Sequence, residues 1–144
     1  ACDRNRQVHV VPQLIASTPD EFRWIVRLFQ ENGYREADIN LGCPFPMQVR
    51  AHRGSGLLRY KEEAEYLLRT IEEFPDISFS VKMRLGWECA DESFVLLSLL
   101  NKLPLKHITL HPRLGIQQYK GAIDWDGFSR FYEECNFLYI IMEI

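Results

Sequence analysis

Apolar and polar positions along the chain switch repeatedly between a period of two and a period of about 3.6 residues, the signatures of strand and helix. "VHVVPQLIA" (8–16) reads as a strand, and "STPDEFRWIVRLFQENG" (17–33) as a helix with Phe22, Ile25, Val26 and Phe29 on one stripe. Thr18, Pro19 and Glu21 have the spacing of an N-cap, a first-turn proline and a capping box, and Gly33 is placed to stop the helix. "ADINL" (37–41) is a second strand, and Ala64, Leu67, Leu68 and Ile71 mark a helix that Pro75 closes. "ISFSVKMRL" (77–85), "DESFVLLSLLNKL" (91–103), "KHITLH" (106–111) and "DWDGFSRFYEEC" (124–135) continue as strand, helix, strand and helix, the last capped by Asp124. "FLYIIMEI" (137–144) predicts a terminal strand.

Alternating strands and helices at this spacing predict parallel βαβ units, in a doubly wound sheet or in a barrel. The faces of the strands separate the two. Ser78, Ser80, Lys82 and Arg84 oppose Ile77, Phe79, Val81 and Met83; His107, Thr109 and His111 oppose Ile108 and Leu110; Asp38 and Asn40 oppose Ile39 and Leu41. Strands covered by helices on both faces read as continuous apolar runs, and these do not. A barrel wall has one helix-facing side and one lumen-facing side, so the expected fold is α/β, a partial (β/α) TIM-type barrel of four βα units plus a terminal strand, as one domain over 1–144. A complete barrel takes about 250 residues, so the chain reads as a barrel segment, expected to be marginal alone or to self-associate through unpaired strand edges. Gln13, Asn40, Lys82 and His111 would then meet at one rim, a convergence of donors that suits a polar ligand.

Composition narrows the setting. The chain is 47% hydrophobic with formal charge −3, and it lacks an apolar run of about 18 residues for a membrane span. Its first residues, "ACDRNRQ", are polar where a secretory signal is apolar, so a cytoplasmic protein without a membrane role is expected. Cys2, Cys43, Cys89 and Cys135 form no CxxC or Cys/His cluster, which indicates neither a metal site nor a disulfide framework. The charge is uneven: Arg50, Arg53, Arg59 and Lys61 are the only charges from 39 to 61, and Lys102, Lys106, Arg113 and Lys120 the only ones from Ser93 to Ile123. Each run reads either as a solvated loop or as a grip on phosphates.

The segment "NLGCPFPMQVRAHRGSGLL" (40–58) holds Cys43 in a turn between Gly42 and Pro44. A free cysteine is among the most buried residue types and packs as readily as it reacts. Position on the polar rim is what makes it a candidate for chemistry.

"DINLGCPFPMQVRAHRGSGLL", "VKMRLGWE" and "ITLHPRLGIQQYKGAIDW", with "VPQLIAS" upstream, resemble in order and spacing the signature stretches of the tRNA-dihydrouridine synthases. That family's members are flavin enzymes on a barrel that reduce the C5=C6 bond of particular uridines in tRNA, using FMN that NADPH reduces. The resemblance implies Cys43 as the catalytic proton donor to C5; Gln13, Lys82 and His111 as FMN contacts; and Asn40 at the substrate uracil. Arg84 and Arg113 lie beside these blocks as candidates for RNA or phosphate contacts, with tRNA the implied partner. An ordinary thiol, with pKa about 8.5, is mostly protonated at neutral pH, which suits an acid; the arginines are expected to face RNA and not the sulfur. By the same resemblance the chain lacks the family's first and last barrel strands and its C-terminal helical domain. Two other readings stay open at this point: a flavin barrel acting on a free pyrimidine, as in the dihydroorotate dehydrogenases, and a non-catalytic fragment with weak RNA or flavin binding.

Overall fold

The computed structural model describes residues 8–137 and 140–142. In chain order its elements are β1 (Gln13–Leu14), α1 (Pro19–Glu31), β2 (Glu36–Leu41), α2 (Pro46–Arg50), α3 (Lys61–Arg69), β3 (Ser78–Arg84), α4 (Asp91–Leu100), β4 (Leu105–His111), α5 (Trp125–Glu134) and β5 (Ile140–Met142). Local chemistry sets their limits. The Thr18 hydroxyl accepts from Glu21 N at 3.2 Å, and the Glu21 carboxylate accepts from Ser17 N at 2.9 Å, so the return bond of the expected box falls one residue ahead of the cap. Gly33, at φ +84°, stops α1, and Asp124 caps α5 by accepting from Gly127 N at 2.8 Å.

All five strands are parallel and lie in the order β1-β2-β3-β4-β5. Parallel βαβ crossovers are right-handed as a rule, and with sequential neighbours paired throughout that rule puts the connecting helices on one face, the wall of a partial barrel; a doubly wound sheet reverses its order part-way. The helix-facing residues Ala37, Ile39, Leu41, Phe79, Val81, Met83, Ile108 and Leu110 are all buried. They pack under Phe22, Val26, Leu67 and Leu96, with the Phe22 ring centred 5.6 Å from that of Phe79. The opposite face is polar, and its residues stand in rungs set by strand register. Gln13, Asp38 and Ser80 share one rung; Asn40, Lys82 and Thr109 the next; Arg84 and His111 the last, at the carboxyl ends.

Three features differ from the sequence reading. Only Gln13 and Leu14 of the stretch 8–16 enter the ladder. The segment after β2, expected as a loop, contains α2 and a 3₁₀ turn over Gly54–Arg59, too short to show helical periodicity. One extra residue of β4 is accommodated between the pairs Phe79 with Leu105 and Val81 with Ile108, a bulge that lets Lys106 donate to Glu36 at 2.7 Å across β3. Of the terminal strand expected over 137–144, Ile140–Met142 pairs with β4, while 138–139 and 143–144 lie outside the described residues, as does Cys2.

The helix layer carries the stability. Leu67, completely buried, changed to Ala is expected to cost about 2–5 kcal/mol, and Trp24→Ala, on the exposed side of α1, less than about 0.5 kcal/mol, as read by denaturant unfolding.

Candidate active site

Where β2 ends, the amides of Gly42 and Cys43 have no ladder partner. Both donate to Asn40 Oδ1, at 3.0 Å each, so the strand's last lumen-facing side chain closes the turn that follows it. The Cys43 carbonyl in turn accepts from Ser55 N at 3.0 Å and Ser55 Oγ at 2.9 Å. Gly54 lies against the back of Cys43: at φ +57°, a Cβ there would come within 2.6 Å of Cys43 O. The segment from 43 to 55 is thus closed on itself, with Cys43 half-buried at the closure.

A cavity of about 140 Å³ opens beside it, lined by Asn40, Gly42, Cys43, Lys82, Met83, Arg84, His111 and Tyr119. A second, of about 480 Å³, continues along Pro44, Phe45, Pro46 and Gln118 and shares Cys43 and Tyr119. Four of the residues singled out in the sequence as a converging set or as the acid, Asn40, Cys43, Lys82 and His111, therefore line one mouth. Gln13 lies outside that lining, on the neighbouring rung, where its Oε1 accepts from Asn40 Nδ2 at 2.8 Å.

Arg84 is placed differently from the expectation that it faces RNA. Arg84 is 1% exposed. Its Nε donates to Gly42 O at 2.9 Å and its Nη1 to Leu114 O at 3.1 Å and to Gln118 O, and its guanidinium lies 5.1 Å from the centre of the Tyr119 ring. A buried guanidinium engaged with backbone carbonyls is part of the wall of the site and not a surface contact. Arg113 donates through Nε to Gly121 O at 3.2 Å and through Nη1 to His111 Nε2 at 3.1 Å. Arginine has no acceptor, so this contact requires an unprotonated His111 Nε2 and places the ring hydrogen on Nδ1. Ser55, Gly54, Asp38 and Tyr119 were not singled out in the sequence. Only the "GSG" at 54–56 carried a visible signal, the glycine needed for a left-handed turn.

The basic segment is partly neutralised from within. Arg53 pairs with Glu21, and His52 lies 2.8 Å from Glu63 and stacks on Tyr60 with ring centres 3.8 Å apart. Arg59 lies over Tyr60 and Trp87, while Arg50 is exposed. Burial pushes the Glu21 carboxyl up, but the Ser17 amide, the Arg53 guanidinium and the Ser17 hydroxyl outweigh it and hold the group below its ordinary value.

A family model described as dihydrouridine synthase matches residues 1–142. The chain is 29% identical to tRNA-dihydrouridine synthase B of Klebsiella pneumoniae over 92% of its own length and 44% of that protein's. It is 30% identical to probable tRNA-dihydrouridine synthase 1 of Synechocystis sp., over 82% of this chain and 34% of that one. A probable tRNA-dihydrouridine synthase of Rhizobium leguminosarum bv. phaseoli is 29% identical over 85% and 40%, respectively. The chain spans less than half the length of these relatives.

Two predictions follow the geometry of the turn. Gly54→Ala combines a positive φ with a backbone clash on Cys43; it is expected to cost about 1–3 kcal/mol in thermal unfolding and to change the rate at which Cys43 is alkylated. The Glu21 contact ties the start of α1 to the end of the Cys43 segment. Because its folded-state pKa is lowered, its contribution of about 0.5–1 kcal/mol is complete above the ordinary value of 4.5 and is lost as pH falls through the lower folded value. Glu21→Gln should lower the melting temperature at neutral pH and flatten its decline on acidification below that point.

Proposed function

The chain belongs to the dihydrouridine synthase family, and from that premise we propose that it carries the reducing centre of an FMN-dependent tRNA-dihydrouridine synthase acting in the cytoplasm. The observation that carries this reading is the shared mouth in which Cys43 meets Asn40, Lys82 and His111. Its polar groups include two donors that can face a ligand, the Lys82 amine and the Asn40 amide. Such a set fits the carbonyl oxygens and ring nitrogens along the edge of a flavin, and equally the carbonyl oxygens of uracil.

In this proposal Lys82, with Gln13 and His111, holds FMN, and Asn40 holds the uracil. FMN, when bound and reduced by NADPH, supplies the hydride that adds to C6. Cys43 gives its Sγ proton to C5, so the C5=C6 bond gains one hydride and one proton and no charge is left on the base; the thiolate then recovers a proton from solvent. Lys82, half-buried in the lining of the mouth, would hold FMN with a cation, whose effect a partly enclosed site strengthens. Asn40, by fixing the Gly42 and Cys43 amides, holds the turn that carries the sulfur. The exposed Arg50 and Lys120, together with exposed Phe45 and Tyr119 beside the mouth, suit a nucleotide turned out of its stack into the site.

Placed in the complete protein, Cys43→Ala is expected to lower dihydrouridine formation in tRNA by at least about 100-fold while flavin absorbance is retained. Formation at the parent rate would remove Cys43 as the acid, and a protein that takes up no FMN would remove the flavin reading.

A further inference from the structure

The lumen face carries a carboxylate that the proposed reaction does not use. Asp38 stands mid-rung between Gln13 and Ser80; Ser80 Oγ donates to its Oδ1 at 2.6 Å and Gln13 Nε2 donates to its Oδ2 at 2.7 Å. From there the bonds run on towards the turn: Asn40 Nδ2 to Gln13 Oε1, then the amides of Gly42 and Cys43 to Asn40 Oδ1. A primary amide has nearly the same shape with its oxygen and nitrogen exchanged, so packing alone leaves Gln13 and Asn40 two orientations each. An ionised carboxylate only accepts, and removes that freedom. Gln13 must turn its NH₂ to Asp38 and so its oxygen to Asn40; Asn40 must turn its NH₂ to Gln13 and so its oxygen to the turn.

We propose that Asp38 is a positioning residue, which sets the polarity of this relay across β1 and β2 and thereby fixes the Cys43 turn. The relay also decides what Asn40 can offer a ligand. Both lone pairs of its Oδ1 are taken by backbone amides and one N–H by Gln13, which leaves a single N–H. Asn40 is a donor only, and its ligand must present an acceptor at that point. This last step rests on the functional reading above, where a pyrimidine carbonyl oxygen is that acceptor and the amino group of a cytosine would be refused.

The relay itself is tested in the complete protein, without tRNA, by hydrogen exchange of individual backbone amides. Asp38→Asn can donate to Gln13 and permits the reversed chain of bonds, which points Asn40 Nδ2 at two amides that need an acceptor. Exchange at Gly42 and Cys43 is expected to rise about tenfold, with the β3–β4 ladder unchanged. Gln13→Met, at an exposed position, cuts the relay in the middle; it should raise the same two rates, and adding Asp38→Asn to it should raise them no further. Unchanged rates in Asp38→Asn, or an Asp38→Asn effect that persists in full without Gln13, would overturn the proposal. Should Asp38→Asn fail to fold, unchanged rates in Gln13→Met alone would do so. Failure of uridine reduction in the complete protein would sink the functional reading and leave these exchange rates, and the relay, untouched.

Discussion

Removing a guanidinium from water costs several kcal/mol unless its N–H groups find acceptors, and Arg84 is almost wholly removed. Its acceptors come from two loops: Gly42 O from the segment after β2, and Leu114 O and Gln118 O from the segment after β4. Arg84 itself ends β3. One side chain therefore draws three consecutive strand ends together, and the cavity beside Cys43 exists because those ends cannot part without stranding a charge. Neighbouring bonds act the same way: Gly115 N donates to Gly86 O at 2.8 Å and Ile116 N to Trp87 O at 3.1 Å, joining the loops that follow β3 and β4.

The chemistry rests on that frame in two layers. Nearest the strands, the rungs hold two amides, a hydroxyl and a carboxylate whose orientations are fixed by one another, with the Lys82 amine and the His111 imidazole beside them. Above them the Cys43 segment is closed by Ser55 and backed by Gly54, and beyond it lie exposed aromatic and basic groups. Preorganisation of this kind is what a proton transfer to carbon demands, since the donor has to be held before charge develops.

The wall of the barrel was legible in the sequence because it depends on period. Ile39 and Val81 alternate with Asn40 and Lys82, and no tertiary knowledge is needed to see that one set faces helices. Thr18, Gly33 and Asp124 were legible for a similar reason: a cap acts within four residues. The identities of Cys43, Asn40, Lys82 and His111 as neighbours followed from both, once strand ends were aligned. The role of Arg84 was not legible. Its partners sit up to 42 residues away, and an arginine beside a basic loop carries no local sign that its donors will be spent on carbonyls. Asp38 reads in the sequence only as a polar position on a strand, and the register that sets it between Gln13 and Ser80 gives it a purpose.

The bulge in β4 lies near the amino ends of the strands, where Lys106 reaches Glu36 and Lys106 holds the Glu36 carboxyl below its ordinary value. The irregularity in the β3–β4 ladder thus lies at the opposite end from the thiol. A mutation there would act on the register between β3 and β4, whereas one at the upper ends would act on the frame that Arg84 holds and on what that frame accepts. Register and selectivity are thus written at opposite ends of the wall, one into its base and the other into its lip.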